Sequence, residues 1–142
     1  MLRDDYQSAR QDLLVKLQES ALHCREAGAH LEGREQALCE QLAQEQEHLA
    51  RRVESCLRRD HELPQTPDSD REWLHSLAEE LRARLTRHPV REVLAARLDE
   101  EQQLLERVHE LLDLCPEQDR SLYRDIARHL EQGGAALRGI IG

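Results

Sequence analysis

The chain has 142 residues, of which 39% are hydrophobic and 35% charged, and it contains no phenylalanine. This length fits a single domain, and the scarcity of aromatic residues argues against a β-sheet protein, because sheets favour aromatic and β-branched side chains. The net charge is −9 and the arginines are interleaved with acidic residues, which disfavours a nucleic-acid-binding surface. No apolar run approaches the ~20 residues that a membrane-spanning helix requires, so we expect neither nucleic acid nor membrane as a partner.

The first helical hairpin is predicted over residues 2–58. Apolar and small residues recur at steps of three and four through the first helix, at about residues 2–32, which is a helical period. Gly33 is the only break before the second helix, at about residues 34–58, so the two helices are expected to run antiparallel. In the middle of the second helix, Glu45 or Gln46 interrupts the apolar stripe.

A crossover is predicted over residues 59–88. It begins with a polar segment that contains two prolines, which is typical of a linker. Ser69 and Glu72 fit a capping box, in which each side chain bonds the other residue's backbone N–H, and they introduce a short helix at residues 70–86.

The second hairpin is predicted over residues 89–141. Pro89 suits the first turn of the fourth helix, whose apolar stripe is interrupted at Glu101, and Pro116 is expected to start the fifth helix. The helical period continues through Gly133 and Gly134, so we expect that helix to continue past them. The prediction is therefore one all-α domain over residues 1–142, an antiparallel four-helix bundle with a short fifth helix in the crossover.

Three segments carry a resemblance to a known family. Residues 17–28 are similar to the first-helix segment of a ferritin-like family of uncharacterised bacterial proteins, with Cys24 at the position of an expected aromatic residue. Trp73 resembles the aromatic residue of that family's crossover, and residues 94–105 resemble its third long helix, with Glu101 at the inward acidic position. The resemblance implies an up-down-down-up ferritin-like bundle, and for this family it implies no established activity.

Ferritin-like di-iron sites use Glu-x-x-His pairs, in which the i,i+3 spacing places both ligands on one helix face. Such pairs occur at Glu45 and His48 and at Glu106 and His109, and Glu101 supplies a further inward carboxylate. These five residues are the candidate ligands for iron or manganese. With 29 acidic residues and 8 histidines, such pairs also arise by chance. The sequence therefore favours a structural polar layer at Glu45 and Glu101 over a metal site.

The four cysteines contain no Cys-x-x-Cys pair, which indicates buried free thiols in a reducing cytoplasm. No catalytic residue is predicted. The leading functional prediction is a non-catalytic cytoplasmic bundle that acts through protein–protein contacts or as a homo-oligomer. The alternatives are a ferritin-like metal-binding protein, a secretion or flagellar export chaperone, and a spectrin-like or coiled-coil adaptor.

Overall fold

The fold is seen in a computed structural model that describes residues 4–64, 71–85 and 89–142. The all-α prediction is confirmed, because the described ranges contain no strand. A single 3₁₀ turn, Glu117–Asp119, precedes the last helix. The α-helices are α1 (Asp5–His30), α2 (Gly33–Arg59), α3 (Arg71–Leu85), α4 (Val90–Leu114) and α5 (Arg120–Ile141).

The helix boundaries follow from local chemistry. Asp4 caps α1, since its carboxylate accepts the Gln7 N–H at 2.7 Å while the Gln7 side chain accepts the Asp4 N–H at 3.1 Å. Gly33 has a φ of +61°, a left-handed conformation that glycine adopts at little steric cost, and this permits the sharp turn from α1 into α2. Pro89 directly precedes the first residue of α4.

Two boundary predictions have different outcomes at α5. The helix continues through Gly133 and Gly134 to Ile141, as predicted. Its start was placed wrongly at Pro116, because residues 117–119 first form a 3₁₀ turn and α5 begins only at Arg120. The predicted start of α3 depends on Ser69, which lies outside the described residues together with the capping box that it would form.

Ion pairs along the long helices show their relative directions. Asp60 at the end of α2 bonds Arg10 near the start of α1, so these two helices are antiparallel. On α4, Glu100 bonds His23 and Arg107 bonds Asp12, so α4 also runs antiparallel to α1. The α2–α5 contact is antiparallel too, since Arg52 bonds Asp125, Arg59 bonds Asp119 and Gly133 lies against Leu42. The short helix α3 packs on α1, where Arg82 pairs with Glu26.

The core consists of two apolar clusters. Each of α2 and α4 contributes one end of the helix to one cluster and the other end to the second cluster. Between these two parts, each helix has one buried polar residue. These two residues are Gln46 and Glu101. None of the helices in the described ranges contains a stretch long and apolar enough to cross a bilayer.

Candidate functional site

The five candidate metal ligands lie in different surroundings. Glu101 is 2% exposed and points into the core, as predicted, whereas Glu45 is half-buried and accepts a hydrogen bond from Gln41 at 3.1 Å. His48, Glu106 and His109 are exposed. The described residues contain one group of three potential ligands whose donor atoms all lie within 4.8 Å of one another, and none of the five predicted residues belongs to it. The five predicted residues are therefore not gathered into one cluster.

The inward polar position on α2 belongs to Gln46. The sequence left Glu45 and Gln46 as alternatives, and the structure places Gln46, which is 2% exposed, against Glu101. The Gln46 side-chain amide donates a hydrogen bond to Glu101 Oε1. The Gln46 Oε1 atom is buried and has no hydrogen-bond partner. We call Gln46 and Glu101 the central pair.

Glycine on α5 makes room for the central pair. A Cβ atom at Gly133 would lie 2.9 Å from Leu42 Cδ2 and 3.2 Å from Glu101 Oε2. Distances of this size require neighbouring atoms to shift. The carboxyl group of Glu101 is therefore enclosed by α2 on one side and by the α5 backbone on the other.

The surroundings of Glu101 favour its neutral form. Burial raises the pKa of Glu101 to about 8, and the nearby Glu100 and Glu45 carboxylates act in the same direction, against the hydrogen bond from Gln46. The adjacent Glu100 differs because Arg97 and His23 contact it at 2.5 and 2.8 Å, and they keep its pKa below the usual value despite burial. A metal ligand must be deprotonated, so a cation at Glu101 would have to displace this proton.

A second polar cluster lies at the end of the molecule where α1 begins and α2 ends. Its centre is Arg10, which is 1% exposed and donates to Asp60 and Glu62, both at 2.7 Å. The guanidinium also lies 4.8 Å from the centre of the Tyr6 ring and 3.4 Å from the Cys56 sulfur. Arg10 therefore fixes the first residues of the crossover to the first turns of α1.

Two tyrosines connect this cluster to α5. The Tyr6 hydroxyl donates to Asp119 at 2.6 Å and lies 2.9 Å from the Tyr123 hydroxyl. Because the single Tyr6 proton is directed to Asp119, Tyr123 must be the donor to Tyr6. Burial acts to raise the pKa of Asp119, but hydrogen bonds from Arg59 and Tyr6 hold it below its usual value. We call this set, centred on Arg10, Tyr6 and Asp119, the end cluster.

The end cluster contains the one set of three potential metal ligands in the described ranges, namely Cys56, Asp60 and Asp119. Arg59 donates to both carboxylates, at 2.8 and 2.9 Å, and Arg10 donates to Asp60. Hydrogen bonds from Arg59 and Arg10 lower the pKa of Asp60 to about 2. Guanidinium groups thus already neutralise the carboxylates, and a metal ion would have to displace them.

A groove follows the outer face of α1 and α2. It encloses about 250 Å³. Its floor includes Ala21, Leu22 and Ala50, and its rim is charged. The Gln18 Oε1 atom beside it is buried without a hydrogen bond and is out of reach from the surface, whereas Arg51 is exposed and bonds no described side chain. An apolar floor with a charged rim is a surface that a second protein chain can cover.

The end cluster was not identified from the sequence, which placed Asp60 in the predicted crossover. The available signal was spacing, because each of three helix ends places two polar or thiol residues on one face, four positions apart. These pairs are Tyr6 and Arg10, Cys56 and Asp60, and Asp119 and Tyr123.

The chain was compared with protein-family models, with curated proteins and with solved structures, and none of the three comparisons found a match.

Proposed function

We propose that this protein is a non-catalytic, cytoplasmic helical bundle that acts through protein–protein contacts at the outer face of α1 and α2. The observation on which the proposal rests is the groove, with its apolar floor and the exposed Arg51 guanidinium on its rim. A partner could cover the apolar floor and place an acidic group against Arg51. The exposed parts of Leu22 would be covered at the same time.

The buried thiols support a role without chemistry at cysteine. A cysteine nucleophile reacts as the thiolate, which requires a lowered pKa. Burial instead raises the pKa of Cys24, raises that of Cys39 to about 11, and raises that of Cys56. All four cysteines are free, which agrees with a reducing compartment.

We also propose the ferritin-like, up-down-down-up arrangement for the four long helices. The ion pairs that connect α1 with α2 and α4, and α2 with α5, support this order of directions. In this arrangement the hairpin faces that meet form the core, and the outer face of α1 and α2 remains available for contacts.

The alternatives from the sequence stay predictions. For an iron or manganese site, Glu101 is the one candidate ligand buried in the core, and with its raised pKa a metal ion would have to displace a proton there. An export chaperone would also need a protein-binding face, and no feature of the described residues favours an export substrate over another partner.

A photo-crosslinking experiment tests the contact face. A benzoylphenylalanine at Leu22, in the groove, should give a covalent adduct with a protein in intact cells, because its ring would lie within the interface. The matched control places the same residue at Arg124, which is exposed on α5. Adducts of equal yield at both positions, or none at Leu22, would refute the proposed contact face.

A further inference from the structure

Four charged residues follow one another along the outward face of α2. Glu47, Arg51, Glu54 and Arg58 are separated by four, three and four positions, which places them on one face of the helix. All four are exposed or half-buried, and the first three line the groove. Their signs alternate, beginning with a negative charge and ending with a positive one.

The order of the charges in this row would allow two copies of it to pair with each other. When it is read from the opposite end, every sign is reversed while the spacing stays the same. Two copies of α2 that lie antiparallel, related by a two-fold axis between positions 51 and 54, would therefore place Arg51 opposite Glu54 and Glu47 opposite Arg58, each pair twice. A row with a symmetric sign order, such as Glu-Arg-Arg-Glu, would instead place like charges opposite one another.

We propose that the partner at this face is a second copy of the chain, which forms a two-fold symmetric dimer along antiparallel α2 helices. The inference rests on the proposed function, and it adds the identity of the partner. It assigns the unpaired Arg51 guanidinium to Glu54 of the other copy.

The size of the face agrees with a weak dimer. With the two-fold axis between positions 51 and 54, residues 46–59 of the 27-residue α2 lie opposite the same residues of the other copy, over a length of about 20 Å at about 1.5 Å per residue. Two neighbouring helices of about 10 Å diameter make this face about 20 Å wide, or about 400 Å² on each partner. That is about half of the 800 Å² per partner that a standard interface buries, and it lies in the range of weak contacts. Ala50, between the charged positions, permits a close approach of the two helices.

Overall charge also favours this face for self-association. Two copies with a net charge of −9 each repel one another. The charged residues that line the groove are Arg25, Glu47, Arg51 and Glu54, whose charges cancel. The pairs within one chain, Arg25 with Glu47 and Arg58 with Glu54, are at the surface, where ion pairs contribute little, so their exchange for pairs between copies costs little.

Sedimentation equilibrium on purified full-length variants tests the dimer. Arg51→Glu and Glu54→Arg should each weaken dimerisation about tenfold, because each change creates two like-charge contacts at the two-fold axis. The double variant R51E/E54R should restore the wild-type dissociation constant. Arg124→Glu, which makes the same change in net charge as Arg51→Glu at an exposed site on α5, should leave it unchanged. Circular dichroism of each variant shows that the fold is retained.

The dimer would be refuted by a wild-type protein that stays monomeric throughout the concentration range, or by a double variant that associates no better than the single ones. In the crosslinking experiment, an adduct from Leu22 with a different protein would also refute the dimer but would leave the proposed contact face intact. The absence of any adduct from Leu22 would refute both the dimer and the proposed contact face.

Discussion

The end cluster and the central pair each contain a buried carboxyl group, that of Asp119 and that of Glu101, but the two sites favour opposite charge states. In the end cluster, Arg10 and Arg59 bond the carboxylates of Asp60 and Asp119 and keep their pKa values low. In the central pair, Glu101 is bonded by a neutral amide, and burial raises its pKa to about 8. The comparison shows that a directly bonded guanidinium, more than the depth of burial, decides whether a buried carboxyl group ionises.

The two sites therefore give the fold opposite pH dependences. The end-cluster carboxylates have folded pKa values below their unfolded ones, so their contribution to stability is present above about pH 4 and is lost as the pH falls. The folded pKa of Glu101 lies above the usual 4.5, so the folded state binds one more proton between 4.5 and about 8. That contribution is complete below 4.5 and is lost as the pH rises to 8.

The largest expected effect comes from removing the cation of the end cluster. Arg10→Met should lower the free energy of unfolding by about 3–5 kcal/mol, because it removes a buried guanidinium and leaves the partly buried Glu62 and Asp60 without it. Urea unfolding at neutral pH measures this. The control Arg128→Met removes a surface pair with Asp125 and should cost less than about 1 kcal/mol. Equal losses in the two variants would show that the end cluster adds nothing beyond a surface ion pair.

The next effect is a difference in pH dependence. Wild-type protein should lose about 1.4 kcal/mol of stability per pH unit relative to Glu101→Gln as the pH rises toward 8, because the amide has no proton to lose. Urea unfolding of both proteins at pH 5.5, 6.5 and 7.5 measures the slope. Parallel stability curves would mean that Glu101 is ionised throughout this range.

A pair of glycine substitutions tests the space around the central pair. Gly133→Ala should destabilise the protein by about 1–2 kcal/mol, because the added Cβ meets Leu42 and Glu101 and the resulting overpacking exceeds the gain in helix propensity. Gly134→Ala should instead stabilise it by up to about 1 kcal/mol, since the nearest atoms lie 3.7 Å from the added Cβ. Thermal unfolding followed by circular dichroism compares them, and the same sign for both would contradict the close contact at Gly133.

An effect of similar size is expected from one hydroxyl in the end cluster. Tyr6→Phe should cost about 1–2 kcal/mol at neutral pH, since it removes the donor to Asp119 and the acceptor for Tyr123 while leaving the ring against Arg10. Chemical denaturation at pH 7 provides the measurement. An unchanged free energy of unfolding would show that the Tyr6 hydroxyl adds nothing to the stability of the end cluster.

Local patterns in the sequence predicted the helices well, because the apolar period, Gly33 and the prolines determine where helices begin and end. The same period placed Glu101 inside the core. It left Glu45 and Gln46 as alternatives, since neighbouring positions on a helix differ by 100° and either can face the edge of an apolar stripe. Gln46 is the residue that faces the core, and its contact with Glu101 on α4 is a tertiary one that the sequence of α2 alone does not show.

Local sequence patterns could not predict the end cluster, because Arg10, Asp60 and Asp119 are distant in the chain. Their meeting depends on three helices whose ends come together at one end of the molecule. Spacing by four within each helix end was present in the sequence, but it becomes informative only when the order of the helices is known. The charge row on α2, by contrast, is readable from the sequence as soon as its outward face is known.

The central claim is that the buried Glu101 carboxyl group is a neutral, structural part of the core. Its most direct test is the titration of the Glu101 carboxyl carbon by NMR, with Glu101→Gln used for assignment. We expect a midpoint at about pH 8, so that the group is largely neutral at pH 7 and a metal ion would have to displace its proton. A midpoint near pH 4 would contradict this account, because it would place an ionised carboxylate inside the bundle and return a cation site to consideration.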